Sequence, residues 1–470
     1  MRGASTKPLP SLQTRSRKEL PNIPRPLHDR QRNTWLKLPA KQAQSALPQY
    51  PARTQEVGIT LQRGGVWPTM EKGVSLERAI ELTLQYPLPK HTEIISLDAA
   101  RGRILASALV SKVDDPRFDN SAMDGFAVIS SDCQRPGAEL TIIGTSQTGG
   151  ETPSSITSGQ ACRIMTGAPL PEGADAIVMV EDTEANQEQV TINGPARTGY
   201  IRRRAENLSI GQEALPAGTL LSSASIALAG TMGHGEVEVI RKPRIAILST
   251  GDELVQPGTE LEPGQIYESN SHALASLVES MGCEAVRHES ANDSMDELRT
   301  TLDSLSTCDA ILTSGGVSMG EWDLVRKIME EEGNISFWRM KLRPGGPPLF
   351  GTWKGTPLFG LPGNPVSSLV VFHVLVAPWV AKSLGYHEEM GPRLSHKVSV
   401  KLEEGISGAP GKLCLRRIKI RSENGQLLAT THTHQGSGNM HSMVAHNGLT
   451  LLPPDTDGEA GKVIDALWLL

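Results

Sequence analysis

The sequence predicts a multidomain protein of the α/β plus β class, built around a doubly wound α/β/α domain at residues 243–386. The first observation is that strand-like apolar runs alternate there with helical patterns, which gives a mostly parallel sheet. The second is that loops rich in glycine and proline follow three of those runs. The third is that short β-like runs with Gly/Pro turns lie on both sides of this block.

The N-terminal residues 1–71 are predicted to be a basic, proline-rich extension. Residues 1–69 hold twelve Lys and Arg, three Asp and Glu, and nine prolines, with no sustained periodicity. Such a composition cannot bury enough apolar surface to order itself. Two interpretations stay open: a disordered or transit-like extension, or a chain whose true start is Met70.

Residues 72–240 predict a mixed α/β region that carries an inserted module. Helical periodicity dominates residues 72–115. Short β-like runs at 140–143, 176–180 and 190–192 then predict a small β-rich module at about residues 117–200. A returning helix at residues 226–230 indicates that this module is an insertion.

The central block and the C-terminal region complete the chain. In residues 243–386 we predict a closing apolar helix at 366–384, after strands at 244–248, 285–288, 310–313, 336–340 and 357–361. Residues 393–470 return to short strands, which predict a small β barrel or sandwich. Those strands are expected at 412–420, 427–431, 448–452 and 461–467.

Composition restricts the classes of function. A net charge of −6 and an aromatic content of 4% argue against a nucleic-acid groove. Five cysteines without a CxxC pair argue against a disulfide framework or a zinc site and favour a reducing cytoplasm. The longest apolar run, residues 366–381, is short for a membrane span and favours a buried helix.

Three loops at predicted strand ends indicate a binding site, because ligands of such sheets bind at the carboxyl ends of the strands. Ser314–Gly320 is a glycine loop that opens a helix, and backbone N–H groups at such a place favour an anion. Asp323 lies beside this loop, and Glu253 follows another strand. Residues 362–365 form the third loop, with Asn364 as helix N-cap and Pro365 at the first helical position. Together they predict an anion site with a metal.

A cationic segment lies close by in the sequence. Arg339, Lys341 and Arg343 alternate along an extended run, so period-2 spacing directs them to one face. That face is either a solvated edge strand or a polyanion-binding surface.

Three further polar motifs have ordinary structural explanations as well as functional ones. Asp124 and Thr166 stand in Gly/Pro turns, and Asp293 suits a helix cap. The pair His432 and His434 favours an exposed strand over a metal site. The sequence also lacks GxxxxGK[ST], complete GxGxxG, GxSxG and HExxH patterns, which argues against the enzyme classes that use them.

Five segments in order resemble the molybdopterin molybdenumtransferase (MoeA-type) family, which includes the C-terminal domain of gephyrin: NSAMDGFAV, MTGAPLPEGADAIV, RIAILSTGDEL, SGGVSMGEWD and GLPGNPVSSL. The resemblance runs from about residue 72 to 468. It implies that residues 243–386 bind molybdopterin. It further implies insertion of molybdate into adenylylated molybdopterin, with Mg²⁺ and release of AMP.

The resemblance and the loop positions together assign expected roles to single residues. The expected catalytic residues are Asp124, Thr166, Asn207, Glu253, Asp293, Asp323, Arg339 and Arg343. The expected substrate-binding residues are Ser314, Gly315, Gly316, Ser318, Gly320, Pro362, Gly363, Asn364, Pro365 and Ser437. Glu253, Asp293 and Asp323 are the expected ligands of Mg²⁺.

The family resemblance also implies partners. It predicts an elongated homodimer whose cleft joins the α/β domain to the β-rich domain of the other subunit. Substrate would arrive from a molybdopterin adenylyltransferase, and product would pass to molybdoenzymes. Nucleic acid and membrane are not expected partners.

The sequence departs from the family pattern at five positions, one of which is Ala205 in place of a glycine. Asn207 replaces an acidic residue, Arg339 and Arg343 replace lysines, and Gly346 stands where many members carry a lysine. These changes leave open a catalytically impaired paralogue that binds molybdopterin or acts as a scaffold. A third hypothesis, adenylyl transfer to molybdopterin, is disfavoured by the flanking regions at 72–240 and 393–470. The choice between molybdate and tungstate is not decided.

Overall fold

In this computed structural model the described residues are 70–151, 154–289, 294–317, 323–431 and 434–470. The prediction for residues 1–69 lies outside them. The same holds for three predicted site residues, Asp293, Ser318 and Gly320, and for His432.

A seven-stranded sheet forms the centre of the molecule. Its strands pair in parallel except at Leu349–Trp353, which is antiparallel to both of its neighbours. The predicted α/β fold is therefore confirmed. In spatial order the strands are Glu71–Val74, Asn334–Met340, Leu349–Trp353, Thr356–Leu361, Ala310–Ser314, Arg244–Ser249 and Glu284–Arg287.

Both faces of this sheet are covered by helices. Along the strand Arg244–Ser249, Ile245 and Ile247 belong to one apolar cluster, and Ala246 and Leu248 belong to another. Successive side chains of a strand point to opposite faces, so an apolar run without alternation is buried on both sides. One face carries the helices Leu76–Thr83, Asn270–Ser280, Pro365–Val371 and Ala377–Leu384, and the other carries Met295–Leu305 and Leu324–Glu331.

The predicted closing helix is one apolar unit with a local change of winding. A π-helical turn, Phe372–Val376, joins Pro365–Val371 to Ala377–Leu384. Among the described residues, Pro365–Leu384 is long and apolar enough to cross a membrane, but 67% of its most apolar window is buried. It packs in the central core, as a buried helix of this kind should.

Three short antiparallel ladders form a stalk in the N-terminal region. Each ladder pairs an early strand with a late one, so the ladders are nested. They are Thr92–Ser96 with Glu236–Ile240, Leu109–Val110 with Glu213–Leu215, and Asn120–Ser121 with Ile201–Arg202. The helix Ser223–Thr231 returns where it was predicted.

The β-rich module lies beyond the stalk, and its insertion in the chain follows from the nesting. It is a six-stranded sheet whose order is Ala176–Met179, Gly125–Val128, Gln160–Ile164, Ala138–Ser146, Gln189–Ile192 and Thr183–Ala185. Short 3₁₀ turns connect these parts, at Leu97–Ala99, Ser130–Cys133, Val180–Asp182 and Thr198–Tyr200.

The expected helical character of residues 72–115 is wrong beyond Thr83. Only Leu76–Thr83 is an α-helix there, and Thr92–Ser96 is a strand. Pro87 and Pro89 end helical propagation, and the strand is stabilised by a partner more than a hundred residues away. In addition, the strand Glu71–Val74 pairs with the central sheet, and the helix Leu76–Thr83 packs in its core.

The C-terminal region is a closed barrel, which is one of the two architectures, barrel or sandwich, that the sequence predicted. Its five strands are Ser395–Leu402, Gln426–Thr431, Arg417–Glu423, Gly448–Thr450 and Val463–Leu469, and a short helix spans Met440–Ala445. The run predicted at 412–420 is broken, because Leu413–Cys414 leaves the barrel and pairs with Leu342–Arg343. This pairing holds the barrel against the cationic segment of the α/β domain.

Candidate active site

The three predicted loops meet at one edge of the central sheet. They follow the neighbouring strands Arg244–Ser249, Ala310–Ser314 and Thr356–Leu361 and enclose a cavity of about 520 Å³. The structure therefore brings the sequence-predicted loops together at the carboxyl ends of the strands. Of the predicted residues, this cavity is lined by Glu253, Ser314, Gly315, Gly316, Asp323, Pro362, Gly363, Asn364 and Pro365.

Glycine is required in the central loop by conformation and by space. Gly315 has φ +102° and Gly316 has φ +66°, values that side chains with a Cβ rarely adopt. A Cβ at Gly315 would lie 2.8 Å from the carbonyl oxygen of Thr250. Because these two residues have no side chains, the loop lies directly against Thr250 and leaves room for a ligand.

Two carboxylates face the same cavity. Glu253 is exposed, and its backbone carbonyl accepts a hydrogen bond from Ile266 N at 2.8 Å. Asp323 is the N-cap residue of Leu324–Glu331, and its side chain makes no capping hydrogen bond with that helix. Both residues line the cavity, and their functional roles there stay a prediction.

The helix Pro365–Val371 begins at the opposite wall of the cavity. Asn364 is its N-cap and Pro365 its first residue, as predicted, although the Asn364 side chain does not cap it. Proline has no N–H group, and Val366 N donates to Ser437 O at 3.1 Å, so the first two positions of this helix offer no unbonded donor to the cavity.

The three predicted cations line a second cavity of about 730 Å³. Arg339, Lys341 and Arg343 are all exposed, and Pro347 lines this cavity as well as the first, so the two cavities adjoin. The segment is not one regular strand, because Arg339 adopts φ +71° and its N–H bonds Pro348 O at 2.8 Å. The strand Asn334–Met340 has a neighbour on each side, so the edge-strand interpretation is wrong for Arg339, and polyanion binding stays a prediction.

A third cavity, of about 300 Å³, lies between the α/β domain and the barrel. It is lined by Arg343, Ser367, Arg416, Arg417, Gln435 and Ser437. The loop of Ser437 is held to the central domain by a hydrogen bond from Val366 N to Ser437 O at 3.1 Å. Arg343 lines both this cavity and the second, so the three concavities form a continuous series.

Arg417 is the unusual member of the third cavity. It is 1% exposed and donates from Nε to Ser442 Oγ at 2.9 Å and from Nη2 to Gly436 O at 3.0 Å. No carboxylate among the described residues forms an ion pair with it, and burial, together with the charge of Arg416, lowers the pKa of its guanidinium. A buried cation without an acidic partner is costly and indicates a site for an anionic ligand.

Three further predicted residues, Asp124, Thr166 and Asn207, lie in the N-terminal region. Thr166 N donates to Asp124 Oδ1 at 2.7 Å, so these two sequence-distant residues are brought together. Asn207 Nδ2 donates to Asp115 Oδ2 at 3.1 Å. None of the three lines the cavities described above.

Sequence reasoning missed four residues of the central site. Asn270 and the buried Glu268 line the first cavity, and Arg416 and Arg417 line the third. The polar triplet at residues 269–271, just before an amphipathic helix, was the available signal for Asn270 and Glu268. Nothing in the local pattern of the barrel strand distinguishes Arg417 from an exposed arginine.

Family models match three consecutive parts of the chain. Residues 74–233 match the MoeA N-terminal region (domain I and II), 246–382 a probable molybdopterin binding domain, and 399–469 the MoeA C-terminal region (domain IV). The molybdopterin molybdenumtransferase of Haemophilus influenzae is 36% identical over 386 residues, which cover 81% of this chain and 94% of that relative. The chain belongs to the molybdopterin molybdenumtransferase family.

Other members of the family agree with this assignment. Molybdopterin molybdenumtransferase 2 of Mycobacterium tuberculosis is 34% identical over 77% of this chain and 91% of its own length. A crystal structure of the molybdopterin biosynthesis MoeA protein from Pyrococcus horikoshii has a TM-score of 0.71 and 29% identity, and covers 84% of this chain and 100% of that one. The fold and the family expected from the five motifs are thus confirmed.

Proposed function

We propose that this chain is a molybdopterin molybdenumtransferase that inserts molybdate into the dithiolene of adenylylated molybdopterin and releases AMP. The observation that carries the proposal is the series of three adjoining cavities, each with the chemistry of one part of that reaction. Membership of the family supports the same function in molybdenum cofactor biosynthesis.

The first cavity is proposed to hold the phosphate end of the substrate. The backbone N–H groups of the two loops around Gly316 and Gly363 are proposed to donate to an anion. In this role they stabilise the charge that develops on the departing phosphate, without reorganising during the reaction.

The residues of this cavity fit a divalent cation such as Mg²⁺. Mg²⁺ prefers oxygen ligands and is commonly held by one or two carboxylates together with substrate phosphates. Glu253 and Asp323 provide two such carboxylates, and no cluster of three or more metal-binding side chains exists in the described part of the chain. Bound there, the ion would polarise the phosphate and offset leaving-group charge. Asp293 is proposed as a further ligand from the resemblance.

The second and third cavities are proposed to bind the pterin phosphate region and the oxyanion. Arg343 lines both cavities, and Arg416, Arg417, Ser367 and Ser437 converge on the third. Arginine donates in a fixed fork that suits tetrahedral oxyanions. We therefore assign the third cavity to molybdate, with the buried charge of Arg417 compensated when the oxyanion arrives.

We also propose that the active unit is a homodimer. Asp124 and Thr166 lie away from the cavities, and the side chains around them include exposed apolar residues. Exposed apolar groups at one place favour an interface. A second copy would cover this surface and bring Asp124 and Thr166 to the partner's cavities. The apolar residues are Phe118, Met123, Met165 and Val180, with exposures of 36–44%.

The remaining proposals concern the cellular setting. All five cysteines are free and buried, which supports a reducing compartment such as the cytoplasm. Transfer of adenylylated molybdopterin from a molybdopterin adenylyltransferase, and of product to molybdoenzymes, would keep a labile cofactor out of bulk solvent.

The decisive experiment measures AMP release from adenylylated molybdopterin by the full chain with Mg²⁺, with and without molybdate. We expect molybdate-dependent release, and a loss of roughly 100-fold or more in Glu253→Gln, because the substitution removes a carboxylate from the phosphate cavity. Glu236→Gln, an exposed glutamate on the stalk, is the matched control and should retain full activity. Absence of molybdate-dependent release by the wild-type chain would refute the proposal.

A further inference from the structure

Asn270 occupies a bridging position in the first cavity. It is the first residue of the helix Asn270–Ser280, and its Nδ2 donates to Ser314 Oγ at 2.8 Å and to Gly363 O at 2.8 Å. Its two amide hydrogens therefore connect the loop after Ala310–Ser314 to the loop after Thr356–Leu361. Because Gly363 O can only accept, the assignment of the donating nitrogen is fixed by this bond.

In the described parts of the two loops, residues 314–317 and 362–365, few other contacts connect them. Gly315 N donates to Leu361 O at 3.1 Å at the ends of the strands, and a Cβ placed on Gly363 would lie 3.5 Å from Gly315 Cα, which is ordinary van der Waals contact. Both loops are rich in glycine, so side-chain packing contributes little to their spacing. Beyond the hydrogen bond from Gly315 N to Leu361 O, the Asn270 side chain is the polar connection that sets the distance between the described parts of the two loops.

The buried carboxylate of Glu268 fixes the start of the helix that carries Asn270. The preceding Glu268 is 2% exposed and accepts hydrogen bonds from Ser249 Oγ at 2.8 Å and from Ser271 Oγ at 2.6 Å. These bonds join the start of the helix to the end of the strand Arg244–Ser249. The third loop of the cavity is thereby fixed relative to Asn270.

Two buried polar atoms lie on the same wall. Asn270 Oδ1 and Thr250 Oγ1 have no hydrogen-bond partner among the described residues, and both side chains line the cavity. A buried polar atom without a partner costs free energy unless a ligand or water satisfies it. These two atoms are therefore available to a ligand or to water in the cavity.

We propose that Asn270 is a positioning residue of the phosphate cavity, which holds the two glycine loops at the spacing needed for their N–H groups to reach one phosphate together. This inference rests on the proposed function. It assigns to Asn270 no contact with the reacting atoms. Its effect is on binding, since the number of loop N–H groups within reach of the phosphate depends on the spacing of the loops.

The experiment compares Asn270→Ala with Asn447→Ala in the full chain. Asn447 is a matched control because it also makes two clamping bonds, from Ile420 N at 2.7 Å and to Ile420 O at 3.0 Å, but in the barrel away from the cavity. We expect Asn270→Ala to raise the dissociation constant for AMP and the KM for adenylylated molybdopterin roughly tenfold, with kcat within about threefold. Asn447→Ala should lower the melting temperature and leave both constants unchanged.

A second variant, Asn270→Asp, keeps the shape and removes the donors. Its carboxylate would face Gly363 O, so burial and the neighbouring acceptor should raise its pKa. Protonation restores one donor, and AMP affinity relative to wild type should therefore improve as the pH falls from about 8 to about 5.5. A purely structural asparagine would give no such recovery of affinity.

The outcomes separate this inference from the proposed function. Equal AMP affinity in wild type and Asn270→Ala would overturn the positioning role and leave the transferase intact. Wild-type AMP binding without molybdate-dependent release would refute the transferase, and the positioning role would then be judged on AMP affinity alone. A wild-type chain that does not bind AMP would overturn both.

Discussion

At the scale of single residues, the buried carboxylate of Glu268 is a determinant of stability. Burial by itself raises its pKa, but hydrogen bonds from the hydroxyl and N–H of Ser271 and from Ser249 outweigh burial and hold the pKa below its ordinary value of 4.5. A carboxylate whose pKa is lower in the folded state stabilises the fold above its unfolded pKa, and this contribution is lost as the pH falls.

We therefore expect Glu268→Gln to lower the free energy of unfolding by about 1–3 kcal/mol near pH 7, because charge-assisted hydrogen bonds are lost. The difference from wild type should shrink below about pH 4.5, where the unfolded carboxylate takes up a proton. Urea unfolding near pH 7 and below about pH 4.5 measures this difference in the free energy of unfolding. Glu262→Gln, at an exposed glutamate, is the control. A difference that does not change with pH would contradict the account.

Asn207 shows how a departure from the family pattern is accommodated locally. Its amide donates to Asp115 Oδ2 at 3.1 Å, so the amide satisfies a carboxylate that an acidic residue would repel. The substitution is therefore compatible with the fold at this place and does not by itself indicate a lost site.

We expect Asn207→Asp to destabilise the protein by up to about 1 kcal/mol near pH 7, because two carboxylates would stand within hydrogen-bond distance in a partly solvated place. The pKa of the new pair is raised in the folded state, so this penalty should disappear as the pH falls toward about 4. Asn207→Ala removes the bond without adding charge, and its effect should be independent of pH. Thermal unfolding across this range tests both variants.

At the scale of elements, the loops that end the central strands determine the shape of the site. Gly315 and Gly363 belong to adjacent loops of the same cavity but differ in conformation. Gly315 lies at φ +102°, with Thr250 O 2.8 Å from the position of a Cβ, whereas Gly363 has no positive φ and only an ordinary contact at 3.5 Å.

Gly315→Ala should therefore cost roughly 2 kcal/mol or more of stability and should abolish AMP binding, because the loop must move to relieve the contact. Gly363→Ala should change stability by less than about 1 kcal/mol. Melting temperature and AMP calorimetry on the two variants provide the comparison. Equal losses in both would show that the backbone conformation of Gly315 is not the determining factor.

At the scale of the whole molecule, the proposed homodimer divides the site between two copies of the chain. Asp124 and Thr166 are attached to the N-terminal stalk, whereas Glu253 and Asp323 belong to the central sheet. If each active site takes one group from each copy, variants at the two places should complement one another.

We expect Asp124→Ala and Glu253→Gln each to be inactive alone, and a mixture of the two, refolded or co-expressed, to recover about a quarter of wild-type AMP release. Half of the dimers would be mixed, and each mixed dimer would have one intact site. A mixture of Asp323→Asn with Glu253→Gln is the control, since both changes affect the same part of the site. Recovery in the control, or none in the test mixture, would contradict a site shared in this way.

Local patterns in the sequence predicted five of the seven strands of the central sheet, but not Glu71–Val74 or Leu349–Trp353. The alternation of apolar runs and helical patterns predicted strands near Arg244–Ser249, Ala310–Ser314 and Thr356–Leu361, and parallel pairing required their three loops to meet at one edge. Arg339, Lys341 and Arg343 also line one cavity, although the segment is not the regular strand that period-2 spacing assumes. The predicted strands depend on repeats of a few residues, which the chain carries within itself.

Long-range pairing was decided by the tertiary structure alone. Local periodicity could not indicate that Glu71–Val74 joins the central sheet, that Thr92–Ser96 is a strand, or that Leu413–Cys414 leaves the barrel to pair with Leu342–Arg343. Asn270 and Arg417 were not predicted as site residues from the sequence, for the same reason. Their partners lie on segments distant in the sequence, and only the packed fold sets the distance between them.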